Sequence, residues 1–397
     1  MPRSSNRELA NAAFLSFFSF TILGMYGAWL YKLWHNIDKE TFWQRDWHCL
    51  WAAGQSVWNG TTEAVYTTDF TGDYAGVCHD GLFWLYPPYA LYPASVLAVF
   101  PPLPAYIGTT VLTILACISL CVLMGLYYPQ QRQHLLLFSF GFIAASPTHS
   151  NVVLGQNSVW LTFAILGGVW GLQHRNTILT ACAFAALAFK PNWLVLFILW
   201  LAFQRQFKAL GVLVGIGALF SLLSVALGMG LWADFFVSSQ GYGRFVLDTY
   251  PVGRLITSHA ALRSFGWMDG SEFSWLWVSL QGVMLAALWV PWRSDRSLMT
   301  KAGMTVIATI TCNVYTNFYD ALVLVIPAAA WWFESKRYRP MQWWGVGLLL
   351  CSLWIWLWFR IIGGDYYPPT AAPVGLLLLA WALIEAHVSL RPKTDLQ

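Results

Sequence analysis

The sequence predicts an all-α protein that crosses a membrane many times. Of its 397 residues, 58% are hydrophobic and only 10% are charged, whereas a soluble domain carries about 25% charge. Its mean hydropathy is +0.54. Apolar runs of about 15–22 residues recur from one end of the chain to the other, close to the ~20 residues that a spanning helix needs. Helices are favoured because they satisfy their own backbone hydrogen bonds inside hydrocarbon.

These apolar runs place about twelve membrane-spanning helices along the chain. The first, residues 12–33, follows Arg3 and Arg7 and is longer than the core of a signal peptide, so we expect an uncleaved helix. The remaining spans are expected at 105–128, 134–149, 157–173, 176–190, 192–204, 208–230, 274–292, 301–316, 318–333, 341–360 and 372–389. Residues 1–390 then form one transmembrane domain, followed by a flexible cytoplasmic tail at 391–397.

A shorter apolar stretch, Tyr89–Pro101, is hemmed in by prolines and is too short to cross a bilayer easily. We expect it to be an interfacial or re-entrant segment. With that choice, the positive-inside rule places both termini and most lysines and arginines in the cytoplasm. The long segments 34–104 and 231–273 then lie on the periplasmic or extracellular side of a bacterial inner (plasma) membrane. They are polar, aromatic and rich in glycine, and we expect them to form the functional face.

Asp46 lies in the aromatic stretch "TFWQRDWHCLW", shortly after the first span. The apolar residues that follow, between Trp47 and Val57, recur at the spacing of an amphipathic helix lying along the membrane interface. An acid at the start of such a helix has two possible roles. It either caps the free N–H groups of the helix or acts as a general base whose proton affinity is set by its aromatic surroundings.

Two cysteines, Cys49 and Cys78, share the first outer loop, where a disulfide can form. The alternative is a pair of buried thiols. The remaining cysteines fall in predicted spans, where they are expected to be small core residues.

Polar residues gather at two further points of the predicted outer face. Gln156 and Asn157, in "SPTHSNVVLGQNSVWL", lie where two spans meet and either bind sugar hydroxyls or cap helix ends. Tyr86 belongs to "FWLYPPYALYP", whose prolines predict a rigid segment leading into the next apolar stretch. That structural role is the alternative to a substrate contact.

Charges within apolar sequence are functional candidates because they are costly at membrane depth. Lys190 ends a nearly uncharged helix, where it either binds an anion or snorkels to lipid headgroups. Asp320, in "NVYTNFYDALVLVIP" with Asn317 and Tyr319, either orients a substrate hydroxyl or forms a structural ion pair with Lys190 or an arginine.

The second long loop carries basic residues among glycines and aromatics. Arginine binds phosphate through a planar fork of donors, so a phosphate clamp is one interpretation and a basic membrane-surface patch is the other. The residues concerned are Arg244, Arg254, His259 and Arg263.

The sequence lacks the motifs that are typical of several classes of protein. The sequence has no Walker A loop, no CxxC pair and no HExxH motif, so an ATP-driven pump and a zinc protease are not supported. No basic–aromatic nucleic-acid motif is visible, and no nucleic-acid partner is expected. We expect no metal and no other cofactor, because no acidic pair forms an evident site.

The order of these motifs resembles glycosyltransferase family 87, the polyprenol-phosphate-mannose-dependent α-mannosyltransferase-like proteins, also grouped as a domain of unknown function. One acid follows the first helix. After it come "FWLYPPYALYPASVLAVFPPLP", "GQNSVWL", "LAFKPNWLVLFILW" and "NFYDALVLVIP", and the resemblance covers about residues 40–390. It implies a GT-C bundle with interfacial helices in the first outer loop, an active site at the outer face, a lipid-phosphate sugar donor and an inverting transfer.

The resemblance also implies roles for individual residues. Asp46 matches the family's first-loop aspartate, the general base, and Lys190 matches its membrane lysine. Gln156 matches the glutamine after glycine. The chain departs from the family at Asn317 and its neighbours, where related enzymes often have a histidine. Substrate-binding candidates are Tyr86, Gln156, Asn157, His259, Asn317, Tyr319 and Asp320.

The implied reaction moves a hexose, with mannose as the first candidate, from a polyprenyl-phosphate donor to a lipid or glycan acceptor. Asp46 would take the proton of the acceptor hydroxyl, and Lys190 with Arg244 or Arg254 would bind the donor phosphate. The alternatives are a secondary transporter or lipid flippase of the cell envelope and a non-catalytic membrane scaffold. A transporter usually shows charges near the bilayer midplane and two matching halves, which this sequence lacks.

Overall fold

The computed structural model describes residues 3–36, 46–66, 84–248, 250, 252–267, 275–334 and 372–390. Within those ranges the chain is helical, and its only β-type pairing is an isolated bridge between Leu255 and Asn317. This confirms the all-α fold class. The predicted span at 341–360 and the tail at 391–397 lie outside the described residues.

The α-helices are numbered here in chain order. Their bounds are α1 Arg3–Asn36, α2 Asp46–Asn59, α3 Leu91–Leu97, α4 Pro102–Tyr127, α5 Arg132–Ala144, α6 Ser146–Leu154, α7 Ser158–Gln173, α8 Thr177–Ala185, α9 Pro191–Phe203, α10 Phe207–Val225, α11 Leu231–Asp248, α12 Ser258–Ser264, α13 Trp275–Arg293, α14 Leu298–Cys312, α15 Val325–Glu334 and α16 Ala372–Leu390. Short 3₁₀ segments join several of them, among them Ala186–Phe189 and Phe318–Leu324.

Three of the described helices, α4, α10 and α13, are long and apolar enough to cross a membrane. The pair α6 and α7 passes the same test together and bends by 114° at its break. Large apolar side chains are exposed on these helices, for example Leu222 of α10 at 70%, as expected of surfaces that face lipid. The chain is therefore a membrane protein, while the total of about twelve spans stays a prediction.

The continuous span predicted at 134–149 was wrong. The structure ends α5 at Ala144, gives Ala145 an extended backbone (ψ 136°) and starts α6 at Ser146. The physical reason is Pro147, which lies in the first turn of α6, where its missing N–H costs nothing. Inside one continuous helix its ring would clash with the carbonyl four residues earlier.

A second difference is α11, since residues 231–273 were expected to form a loop. Gly241 and Gly243 favoured that interpretation, but the buried side chains Leu231, Phe235 and Tyr242 recur at helical spacing. Burial of this apolar face outweighs the roughly 1 kcal/mol by which each glycine disfavours a helix.

The helix that begins with Asp46 is packed tightly against α3. A Cβ on Gly54 would lie 2.1 Å from the carbonyl oxygen of Ala94, so only glycine allows this approach. Trp58 Nε1 donates to the Ser95 carbonyl at 2.8 Å. These contacts confirm the predicted helix after Asp46. They also fit the expectation that Tyr89–Pro101 does not span, because α3 has only seven residues.

Candidate functional site

A cavity of about 460 Å³ lies beside the first residue of α2, a size typical of small-ligand pockets. Its polar lining comes from segments far apart in the sequence, and it includes many of the predicted site residues. These are Asp46, Cys49, Tyr86, Gln156, Lys190, Tyr319 and Asp320. Charged and hydroxyl-bearing side chains that the sequence singled out separately therefore meet in one place.

Asp46 begins α2, and its carboxylate accepts a hydrogen bond from the amide of Gln156. The turn that brings Gln156 there depends on Gly155, which ends α6 with a left-handed backbone (φ +64°). A Cβ at position 155 would lie 2.6 Å from the ring of Trp47, the neighbour of Asp46. The glycine thus allows the α6–α7 bend to seat against the start of α2.

Lys190 and Asp320 form an ion pair, with 2.9 Å between Nζ and Oδ1 and side chains only 15% and 3% exposed. Ser158 Oγ donates to the same carboxylate oxygen at 2.6 Å. The backbone N–H of Asn317 donates to Oδ2 at 3.3 Å. The sequence left open whether Asp320 pairs with Lys190, and the structure shows this pair. The ammonium of Lys190 also lies 5.5 Å from the ring centre of Tyr319.

Lys190 lies between a 3₁₀ segment and an α-helix. The 3₁₀ segment Ala186–Phe189 ends one residue before it, and Pro191 and Asn192 open α9. Proline in a first helical turn is favourable because that turn has no use for its N–H. An ammonium carries three N–H donors, so one bond to Asp320 leaves capacity for an anion in the cavity. Among the described residues that line the cavity, Lys190 is the one cation.

Tyr86 lines the cavity close to both Asp46 and Lys190. Its hydroxyl accepts from Asn157 Nδ2 at 3.1 Å, and its backbone carbonyl accepts from the hydroxyl of Tyr66 at 2.7 Å. Burial raises the pKa of Tyr86, and nearby Lys190 offsets only part of that effect. The phenol is therefore neutral at physiological pH and can donate its proton in a hydrogen bond.

Asn317 is not among the described residues that line the cavity, but it contacts residues that support the cavity wall. Its side chain caps the 3₁₀ segment Phe318–Leu324, and its Nδ2 donates to the hydroxyl of Tyr250 at 3.0 Å. The rings of Tyr250 and Tyr242 both pack edge-on against Tyr315. Asn317 thus supports a tyrosine cluster, two of whose members, Tyr242 and Tyr315, line the cavity.

The four basic residues of the predicted phosphate clamp are not among the described residues that line the cavity. Arg244 is exposed on α11. His259 is fully buried, and its ring packs edge-on against Trp277. Arg263 donates to the Val246 carbonyl at 3.1 Å. Arg254 lies next to Tyr250, to which its side chain is hydrogen-bonded. A phosphate-binding role for these residues stays a prediction.

Cys49 takes part in a disulfide bond. Its predicted partner, Cys78, lies outside the described residues, so the Cys49–Cys78 pairing stays a prediction. No group of three or more His, Cys, Asp or Glu side chains able to hold a metal ion occurs in the part of the chain that the structure describes.

The sequence did not predict the wall of the cavity that α11 forms. One face of α11 supplies Phe235, Phe236, Ser239, Tyr242 and Val246 to the cavity. The signal was the helical spacing of large side chains, which two glycines obscured. This wall is mostly aromatic, and aromatic faces suit the apolar faces of sugars and lipids.

We expect Gly155→Ala to destabilise the protein by about 2 kcal/mol or more, because the left-handed backbone alone costs an alanine roughly 1–2 kcal/mol and the new methyl group would meet buried Trp47. The check is the midpoint of thermal unfolding in detergent. Gly211→Ala is the matched control, since nothing lies within 4 Å of its Cβ position and alanine favours a helix. Equal midpoints for the two variants would contradict the prediction.

The chain matches a known protein family. The model of glycosyltransferase family 87 matches residues 84–327, more than half of the chain. No curated protein matches the chain. None of the solved structures matches it either.

Proposed function

The chain belongs to glycosyltransferase family 87 and is a glycosyltransferase, and from this premise we propose a specific reaction. It moves a hexose, with mannose as the first candidate, from a polyprenyl-phosphate sugar to a lipid or glycan acceptor, inverting the anomeric carbon. The reaction takes place at the periplasmic or extracellular face of a bacterial inner membrane. Family membership favours this transfer over a secondary transporter or a lipid flippase.

One observation carries the proposal: Asp46 and Lys190 line the same cavity although 144 positions separate 46 from 190 in the chain. An inverting single displacement needs a base at the acceptor hydroxyl and a cation at the leaving group. A carboxylate and an ammonium in one apolar-walled cavity meet both needs. The electrostatic effect of each is larger there than in water.

In the proposed reaction, a carboxylate oxygen of Asp46 accepts the proton of the acceptor hydroxyl. The hydroxyl oxygen forms a bond to the anomeric carbon, and the bond from that carbon to the phosphate oxygen breaks. The polyprenyl phosphate leaves with the electron pair, and an N–H of Lys190 stabilises the new negative charge. The neutral hydroxyl of Tyr86 can donate a further hydrogen bond to the sugar or the phosphate. The aromatic face of α11 limits water in the cavity, which favours transfer over hydrolysis.

The donor class is tested with purified protein in lipid nanodiscs. Labelled polyprenyl-phosphate mannose and polyprenyl-phosphate glucose are offered beside the nucleotide sugars GDP-mannose and UDP-glucose, with a total membrane lipid extract as acceptor. We expect labelled product with a polyprenyl-phosphate sugar as donor and none with a nucleotide sugar. Product from a nucleotide sugar would overturn the proposed donor. Lipid movement across the bilayer without product would favour the flippase.

A further inference from the structure

The α6–α7 bend contacts both carboxylates that line the cavity, Asp46 and Asp320. Gln156 donates to the carboxylate of Asp46, and Ser158, two residues later, donates to Asp320, the partner of Lys190. The base and the cation of the proposed reaction are therefore both tied to a single turn of the chain.

The bend itself is fixed by Asn151, a fully buried residue of α6. Its Nδ2 donates to the Pro147 carbonyl at 2.9 Å and to the Tyr319 carbonyl at 2.8 Å. Its Oδ1 accepts from the backbone N–H of Ser158 at 3.0 Å, and its own carbonyl accepts from the N–H of Gln156. Buried and fully used side-chain amides of this kind give a turn one defined geometry.

From these contacts we infer that Gln156 is a positioning residue, which orients the Asp46 carboxylate and favours its ionised form. This inference rests on the proposed role of Asp46 as the base. It differs from the role that the sequence predicted for Gln156, a direct contact to the substrate. Gln156 is only 5% exposed, and its amide points at a protein carboxylate, which favours the positioning role.

An N–H donor stabilises a carboxylate more than a neutral carboxyl group. An amide aimed at Asp46 therefore keeps the base ionised to lower pH. The oxygen that accepts from Gln156 is Oδ2, so the contact also restrains the orientation of the carboxylate.

Other charged or titratable side chains also lie near Asp46 and could affect its pKa. Lys190 and Asp320 carry opposite charges and balance each other. Burial lowers the pKa of His48 to about 4, so this neighbour on α2 is neutral above that pH. Tyr86, Tyr242, Tyr250 and Tyr319 lie close enough to Asp46 for its charge to act on them. Burial raises the pKa of Tyr86, Tyr242 and Tyr250 above the ordinary tyrosine value of about 10, so these phenols are neutral between pH 5 and pH 9.

The test is the pH profile of transfer by the full-length protein in nanodiscs. Gln156→Met keeps the length of the side chain and removes the donor. We expect the acidic limb of kcat to move up by about one pH unit, with KM for both substrates changed less than about twofold. Gln156→Glu puts a second carboxyl group beside Asp46, and we expect its acidic limb to lie higher still. Thermal unfolding of each variant shows that it is folded.

Asn192→Leu is the matched control, since Asn192 lines the same cavity from the first turn of α9. Its acidic limb is expected at the wild-type pH. An unmoved limb in both Gln156 variants, or a raised KM with an unmoved limb, would overturn the inference in favour of a substrate contact. If Asp46→Asn is inactive while the Gln156 limbs stay unmoved, only this inference fails. If Asp46→Asn is fully active, the proposed base fails as well.

Discussion

Replacing Asp46 by asparagine is expected to lower the rate of sugar transfer by at least about 100-fold, the usual effect of losing a general base. The substitution changes one oxygen for an NH₂ group, which cannot accept the proton of an acceptor hydroxyl. Binding of the donor is expected to change little, because Lys190, the cation proposed to bind the donor phosphate, is still present in the cavity. The measurement is kcat and donor KM in nanodiscs.

The same substitution separates catalysis from helix capping, the other role that the sequence allows for Asp46. Asparagine caps a helix about as well as aspartate, so α2 is expected to unfold at the wild-type temperature in the variant. If Asp46 only capped the helix, Asp46→Asn would change neither stability nor activity. The matched control is Asp234→Asn, a carboxylate of α11 that is not among the described cavity-lining residues. Its activity is expected to stay within about twofold of wild type by the same reasoning on base catalysis.

Some parts of the site could be predicted from the sequence, because a charged residue within apolar sequence is costly and is therefore a functional candidate. Lys190 and Asp320 stand out in this way, because each charge lies within apolar sequence. The helix after Asp46 could be predicted as well, since a single amphipathic pattern is local information.

Other parts could not be predicted because they depend on packing between distant segments. The sequence of α11 contains two glycines, and only the burial of its aromatic face decides that it is helical. Likewise, the sequence alone does not show that the ring of His259 packs against Trp277. The bend that joins Gln156 to Asp46 depends on Asn151 reaching a carbonyl 168 positions away, at Tyr319.

The Lys190–Asp320 pair is expected to show strong coupling in a double-mutant cycle. Each single change, Lys190→Met or Asp320→Asn, removes one charge of a buried pair, and leaving the other uncompensated costs about 3–5 kcal/mol. The double variant lacks both charges of the pair and keeps side chains of similar volume, so we expect it to regain most of the stability. The measurement is the thermal unfolding midpoint of all four proteins.

Transfer by the double variant then decides what Lys190 does. If its ammonium stabilises the leaving phosphate, the double variant is stable but its kcat is lower by about 100-fold or more, the usual effect of losing one such donor. A double variant that regains both stability and transfer would restrict Lys190 to a structural role. The contacts of the pair favour the first outcome. Ser158 and Asn317 together with Lys190 donate to Asp320, whereas Lys190 is bonded to Asp320 through a single N–H. Asp320 is thus committed to the protein, while Lys190 keeps donors for a ligand.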